Sequence, residues 1–249
     1  MADVVLRQAG KVFESRGGRV TALTGVDLAV RENEFVAIGG ASGCGKSTLL
    51  NLVAGFEHAT SGAVQGGGAP VTRPGPDRGV VFQQSSLFPW LTVRQNIAFG
   101  LDLAANKTRK PRGPGVDAII ERVGLARFAH NFPSQLSGGM RQRAAIASVL
   151  VIDPGVLLMD EPFGALDALT RSLMQDFLLE LWEENRKTVL MVTHDITEAV
   201  YLADRLVVMT GHPGRVREIV NVDLPRPRRY ALQAAPEFIR LRDHVTRLV

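Results

Sequence analysis

Three short segments of this sequence carry residue types that handle phosphate and water. Gly40-Ala41-Ser42-Gly43-Cys44-Gly45-Lys46-Ser47 fits G-x-x-x-x-G-K-[ST]. Glycines in such a run let backbone N–H groups converge on a phosphate without Cβ clashes. A helix opening behind them adds its positive dipole end. Lys46 is placed to reach the β- and γ-phosphates of a nucleotide, Ser47 to ligate Mg²⁺, and Thr48 continues the binding segment. The second segment, Val156-Leu157-Leu158-Met159-Asp160-Glu161, is an apolar strand ending in two acids. Carboxylates at the C-terminal end of a parallel strand stand where such sheets bind ligands. Asp160 can hold Mg²⁺ through water, and Glu161 can polarise an attacking water. The third, Leu136-Ser137-Gly138-Gly139-Met140, is a polar Gly-rich turn that opens a helix. Its hydroxyl, N–H groups and helix dipole make a second anion site. Two chains packed head-to-tail could each close the other's nucleotide site with it.

These residues need a frame. Glu34 to Ile38 reads as a buried strand entering the phosphate loop, and a helix follows from about Ser47 to Ala54, capped by Gly55. Before it, Val4 to Ile38 reads as short strands broken by the polar turn Ser15-Arg16-Gly17-Gly18. Residues 62 to 79 are rich in Gly and Pro with strand-like pieces between, and Asn106 to Gly115 reads as an exposed basic loop. Helices are expected over Val116 to Val123, Gly138 to Val151 and Ala168 to Asn185, the last with Leu173, Phe177, Leu178 and Leu181 on one stripe. Strands are expected at Val156 to Met159 and Thr188 to Val192, and a further helix runs through Glu198 to Leu202. Strands alternating with helices imply a parallel sheet covered on both faces.

Bulk composition narrows the class. The chain has 249 residues, 45% of them apolar, enough for one large domain or two closely joined lobes. It carries 29 basic and 25 acidic residues, a net +4. That balance suits an anionic ligand or a membrane surface, and equally a plain solvated surface. Cys44 is the one cysteine, so no intrachain disulfide is available and a reducing compartment is expected. Its place in the phosphate loop predicts that alkylation blocks nucleotide binding. The first residues lack the apolar core of a secretory leader, and no run reaches the ~18 apolar residues of a spanning helix. A membrane role therefore needs another chain to do the crossing. A GTPase is excluded by its missing guanine reader, since Asn106-Lys107 is followed by Thr108-Arg109.

With Leu136-Ser137-Gly138-Gly139-Met140-Arg141-Gln142 in place, the sequence resembles the ABC ATPase family, whose signature usually reads Leu-Ser-Gly-Gly-Gln. The resemblance extends along nearly the whole chain. Phe13 resembles the aromatic that stacks on adenine. Gln83, in Val80-Val81-Phe82-Gln83, looks like the glutamine that senses Mg²⁺ and faces the membrane partner. Ala165-Leu166-Asp167 resembles the loop that crosses between subunits, and His194 resembles the switch histidine at the γ-phosphate. Leu87-Phe88-Pro89-Trp90-Leu91-Thr92-Val93, Asp160-Glu161-Pro162-Phe163-Gly164-Ala165-Leu166-Asp167, His212-Pro213-Gly214-Arg215 and Asp223-Leu224-Pro225-Arg226-Pro227-Arg228 are similar to segments of nitrate, sulfonate and taurine importer ATPases.

The resemblance implies an α/β P-loop NTPase fold of the ABC ATPase type, with a RecA-like core (1–83 and 153–210), an antiparallel β region, a helical lobe (84–152) and a C-terminal extension (211–249). It implies ATP hydrolysis with Mg²⁺, catalysed through Glu161, His194 and Lys46. The expected assembly is a homodimer bound to membrane permease subunits at the cytoplasmic face of the inner membrane. A periplasmic-type substrate-binding protein would act indirectly, and no nucleic acid is expected. The rival reading is a soluble ABC ATPase of nucleic-acid or translation machinery, which usually pairs two cassettes in one chain or carries a long coiled-coil insertion. Two positions depart from the family pattern: Ser148 stands where Arg is usual, which removes a structural ion pair, and Asn33 replaces a turn glycine. Trp90 has two readings, as core of the helical lobe or as lining of an exposed groove.

Overall fold

Side chains alternate across a strand, so a strand buried on both faces must be apolar at every position. The chain meets that condition at its centre and relaxes it at its beginning. In the computed structural model, residues 4–15, 18–103, 105–106 and 115–249 are described. Residues 16–17 of the polar turn and 107–114 of the basic loop lie outside them.

β1 (Val4–Ser15) and β2 (Gly18–Val30) form a long antiparallel pair. The sequence suggests shorter pieces because the register slips between Leu6 and Ala9, between Ala9 and Lys11, and again at Val12. Each slip inverts the in-and-out pattern, and Gln8 turns through φ 47° at the first. Asn33 holds φ 63° in the next turn, a left-handed conformation that Asn tolerates in place of glycine. β3 (Phe35–Gly40) leads into the phosphate loop and α1 (Lys46–Ala54). β4 (Ser61–Gly66) and β5 (Ala69–Pro70) then complete an antiparallel sheet in the order β2-β1-β4-β5.

After β6 (Arg78–Val81) come α2 (Val93–Asp102), α3 (Val116–Arg122) and α4 (Gly138–Leu150). β7 (Val156–Asp160), α5 (Ala168–Glu184), β8 (Thr188–Val192), α6 (Ile196–Leu202) and β9 (Arg205–Met209) follow in alternation. β10 (Val216–Asn221) and α7 (Pro236–Leu248) close the chain. The six-stranded sheet has the order β10-β9-β3-β8-β7-β6, parallel throughout except for β10 on β9.

Both faces of this sheet are covered. Phe35, Ala37, Leu157, Met159, Val189 and Met191 face a core that includes Ile146, Met174, Leu178, Trp182, Val200 and Phe238 of α4 to α7. Val36, Ile38, Val156, Leu158, Leu190 and Val192 face α1 and the antiparallel sheet. Each such side chain contributes about 1.5–3 kcal/mol on burial. α5 departs from the expected stripe. Met174, Phe177, Leu178 and Leu181 are buried, but Leu173 is 61% exposed. Phe177 lies at the margin under the Arg122 guanidinium, and Leu173, one turn earlier, falls beyond that cover.

α2 was not among the helices expected from the sequence. Its start is a capping box: Thr92 Oγ1 accepts from Gln95 N, and Gln95 Oε1 accepts from Thr92 N. Buried Asn96 then accepts from Phe88 N and donates to the carbonyls of Phe88 and Leu91. This pins the Phe88–Thr92 loop and turns Trp90 outward, 69% exposed, so the core reading of Trp90 is overturned. Ser148 donates to Ala145 O at 2.8 Å, a helix-internal bond in place of an ion pair.

The phosphate loop is also held from the far end of the chain. Gly214 N donates to Ala22 O and its carbonyl accepts from Thr24 N, joining the turn before β10 to β2. A Cβ on Gly214 would press into the carbonyl oxygen of Cys44. Gly214→Ala is therefore expected to cost about 1–3 kcal/mol and to lower the melting temperature by about 2–4 °C per kcal/mol. A thermal melt that superimposes on the parent's would show that the loop has room to spare.

Candidate functional site

The C-terminal ends of β3, β8 and β7 lie side by side, and the backbone ladder runs one step beyond them. Thr193 N donates to Ile38 O at 3.1 Å, and Glu161 N donates to Val192 O at 2.9 Å. Three loops therefore leave the sheet at one edge: residues 40–47 after β3, Asp160-Glu161 at the end of β7, and Thr193-His194-Asp195 after β8.

Within the first loop, Gly40, Gly43 and Gly45 hold φ of 151°, 79° and 90°. Gly45 has a second constraint, since a Cβ there would meet Leu23 Cδ2 at 2.7 Å and Ala22 O at 2.9 Å. Ala41, Ser42 and Gly43 face solvent, while Lys46 is buried. Lys46 Nζ donates to Gly40 O at 2.8 Å and Ala41 O at 2.9 Å. Its ammonium thus sits in the concavity of the loop. Cys44 is 1% exposed, with Sγ 3.8 Å from Lys46 Nζ. The thiol is therefore covered by the loop in which it stands.

Behind the loop, the Ser47 hydroxyl donates to Asp160. Burial raises the Asp160 carboxyl above its usual range, an effect the Ser47 bond opposes, the Glu161 charge reinforces and the Lys46 charge opposes. Ser47 and Asp160 thus present oxygens side by side, near a buried ammonium. Among the described residues no group of three or more His, Cys, Asp or Glu could hold a metal by itself. An oxygen pair without a full protein cage fits a cation such as Mg²⁺, which keeps several waters and shares phosphate oxygens.

Glu161 collects the next group. Its Oε2 accepts from Gln83 Nε2 at 3.0 Å and lies 3.1 Å from His194 Nδ1. Three residues far apart in sequence meet at one carboxylate oxygen. Glu161 adopts φ 45°, a left-handed conformation costing about 1–3 kcal/mol for a non-glycine residue. The Gln83 loop is steadied by Gln142 Nε2, which donates to Phe82 O.

Residues 136–140 form a separate group. Ser137 caps α4, its Oγ accepting from Met140 N at 3.2 Å, and Leu136 is buried. Ser137 and Gly138 are exposed, and a Cβ on Gly139 would sit 3.4 Å from Leu166 Cδ2. Ala165 and Asp167 are exposed on either side of buried Leu166. Asp167 caps α5, and the backbone N–H of Thr170 and then its hydroxyl hold the Asp167 carboxyl below the usual range. Among the described residues, no hydrogen bond or ion pair joins residues 136–140 to the phosphate loop. Phe13 stands apart on β1, 37% exposed, with Lys11 Nζ 4.8 Å from its ring centroid and Glu57 paired to that lysine.

Sequence reasoning missed a buried layer under His194. The Thr193 hydroxyl accepts from Asp195 N and donates to Glu198, which is 5% exposed. Gln175 Nε2 donates to Glu198 Oε2 at 3.0 Å, and Asp195 Oδ1 accepts from Glu198 N. The spacing Asp195-x-x-Glu198 marks a helix start, but nothing in it shows that the glutamate points inward.

Residues 23–164 match the pattern of the ABC transporter family. The chain is 52% identical over 230 residues to a putative ATP-binding protein of Brucella abortus (strain 2308), covering 92% of this chain and 88% of that one. It is 50% identical over 236 residues to the nitrate import ATP-binding protein NrtD of Synechococcus elongatus, covering 94% and 86%. It is 51% identical over 246 residues to the bicarbonate transport ATP-binding protein CmpC of the same species, covering 97% of this chain and 37% of that one. Among solved structures, the dimeric ATP-binding cassette MJ0796 in a post-hydrolysis state with ADP and Pi superposes with a TM-score of 0.77 at 33% identity, covering 89% and 100%. The cbiO1 protein of Clostridium perfringens, part of the ABC transporter complex cbiONQ, gives 0.73 at 29% identity, covering 96% and 93%.

Burial raises the Glu198 carboxyl to about 7 from 4.5; bonds from Thr193 and Gln175 oppose this, Asp195 reinforces it and Arg171 opposes it. The folded chain therefore holds this proton more tightly than the unfolded chain. The stability linked to it is complete below the unfolded value and is lost as pH rises through about 7. Urea unfolding of Glu198→Gln should lose about 2–3 kcal/mol less than the parent between about pH 5 and about pH 8. Parallel pH profiles for the two chains would refute the assignment.

Proposed function

The chain belongs to the ABC transporter family, and we propose that it hydrolyses ATP to drive a membrane importer of small anions such as nitrate, sulfonate or taurine. The observation that carries this reading is the meeting of Gln83, Glu161 and His194 at one carboxylate oxygen, beside a loop shaped for phosphates. Identity of about half with nitrate and bicarbonate ATP-binding subunits supports the importer role and the anion class. The soluble nucleic-acid reading has no comparable support.

In this proposal, residues 40–48 wrap the ATP phosphates with backbone N–H groups, and Lys46 neutralises their charge. Phe13 supplies a face for adenine. Ser47, Asp160 and Gln83 would hold Mg²⁺, which when bound offsets charge on the phosphates. Glu161 accepts a proton from the attacking water or orients it, and Gln83 and His194 fix the carboxylate's direction. His194 also faces the γ-phosphate. Leu136 to Met140 of a second copy complete the site in trans, with Ala165-Leu166-Asp167 crossing between the subunits. The dimeric MJ0796 cassette supports that assembly.

Among the described residues no helix is long and apolar enough to cross a membrane. Work must then pass to permease subunits by contact. We assign that contact to the exposed aromatics beyond Gln83, where Trp90 packs 5.4 Å from Phe88 and Phe88 packs 4.6 Å from Phe99. A periplasmic-type binding protein would deliver the anion, and the subunit would lie at the cytoplasmic face of the inner membrane. The division into a core of 1–83 and 153–210, a lobe of 84–152 and an extension of 211–249 is part of the same proposal.

Two measurements test it. Glu161→Gln should still bind ATP and should lower turnover by ~10²-fold or more; a phosphate-release rate near the parent's would remove Glu161 from the role. Trp90→Ala should weaken permease association by ~2 kcal/mol or more and leave the melting temperature of the isolated subunit unchanged. Co-purification at parental strength would move the contact elsewhere.

A further inference from the structure

His194 projects from its loop with its side chain 66% exposed, so packing of the ring does little to fix its direction. Glu161 Oε2 meets its Nδ1 at 3.1 Å, and the backbone on either side sets where the ring starts from. Thr193 is tied to β3 through Ile38 O, and its hydroxyl binds both Asp195 N and the Glu198 carboxylate. Asp195 in turn caps α6 at Glu198 N. Both neighbours of His194 therefore converge on Glu198.

Glu198 is also the link to another element. Gln175 of α5 donates to it, and both side chains are buried, each 5% exposed. One turn earlier in α5, Arg171 donates to Leu166 O and lies 3.9 Å from Asp195 Oδ2. The helix that Asp167 caps is thus joined to the first turn of α6 by the Gln175 hydrogen bond and, one turn away, to the His194 loop by the Arg171–Asp195 ion pair. Between the two lies a small cavity bounded by Glu161, Gly164, Arg171 and His194. A buried ionisable group is a costly way to pack a helix, and an apolar residue would stabilise more. What a satisfied polar network adds is a single arrangement of the parts that it joins.

We infer that Glu198, together with Gln175, is a positioning pair that aims His194 and ties it to the helix carrying Asp167. This rests on the reading of His194 as the histidine at the γ-phosphate. Movement at residues 165–167, where a second copy is proposed to touch, would reach His194 through α5 and this pair.

The test uses the full chain with ATP turnover and histidine ¹⁵N NMR. Glu198→Ala and Gln175→Ala should each lower kcat about ten-fold or more, with KM for ATP within about two-fold. Glu198→Gln, which keeps the shape and an acceptor, should restore most of the loss. In the NMR spectrum, Glu198→Ala should displace the ring signals of His194 and leave those of His58, His130, His212 and His244 in place. An unchanged kcat, or unchanged His194 signals, overturns the inference. So does a general movement of all five histidines with a raised KM, which marks a merely structural residue. If Glu198→Ala does not fold, Gln175→Ala and Glu198→Gln carry the same comparison. Failure of the His194 reading is separable: His194→Ala would then turn over at the parental rate, while the NMR arm would still report whether Glu198 sets the ring.

Discussion

Two backbone hydrogen bonds past the ends of β3, β7 and β8 govern the geometry of the three loops at the sheet edge. Thr193 N to Ile38 O and Glu161 N to Val192 O continue the parallel ladder by one residue on each side of β8. Because the strands are in register, that single step sets the phosphate loop, the Asp160-Glu161 pair and the His194 loop at the same height on one edge. Slipping any one strand by a residue would turn its side chains to the opposite face and carry its loop away from the others. The two-sided core makes such a slip expensive, since Phe35, Leu157 and Val189 belong to one face and Val36, Leu158 and Leu190 to the other.

The acids at this edge divide by environment. Asp160 is partly buried and faces the Ser47 hydroxyl, while Glu161 is held in a left-handed turn with its carboxylate toward Gln83 and His194. Consecutive in sequence, they point at different partners because the φ 45° turn at Glu161 breaks the strand between them. Local backbone strain at such a point persists only where neighbouring structure over-determines it. Here the ladder bond from Glu161 N and the turn bond from Gly164 N to Glu161 O supply that restraint.

Much of this frame is legible in the residues alone. The all-apolar runs at 35–38, 156–159 and 189–192 cannot serve a half-exposed strand, so a doubly covered sheet follows. The glycines and Lys46 give the pattern of a phosphate loop without any coordinates. Other features escape because they depend on tertiary cover. Leu173 satisfies the helical period yet lies outside the core, for want of a side chain to lie over it. Trp90 has the composition of a core residue, and only Asn96, by holding the backbone around it, turns it to solvent. Glu198 looks like an ordinary first-turn acid until Gln175 and Thr193 are seen beneath it. Register slips in β1 hide one long strand as several short ones.

The turn at Gly214 has a consequence for the order of events during synthesis. Its backbone packs against Cys44 and pairs with β2, so the floor of the loop at residues 40–47 is laid by a segment far along the sequence. Contacts so distant in sequence close late, after the loop entropy between them has been overcome. A ribosome that has released β3 and α1 has exposed the whole of that loop and none of the segment that shapes it from below. The loop thus acquires its floor only once the turn at Gly214 has been made, long after its own residues.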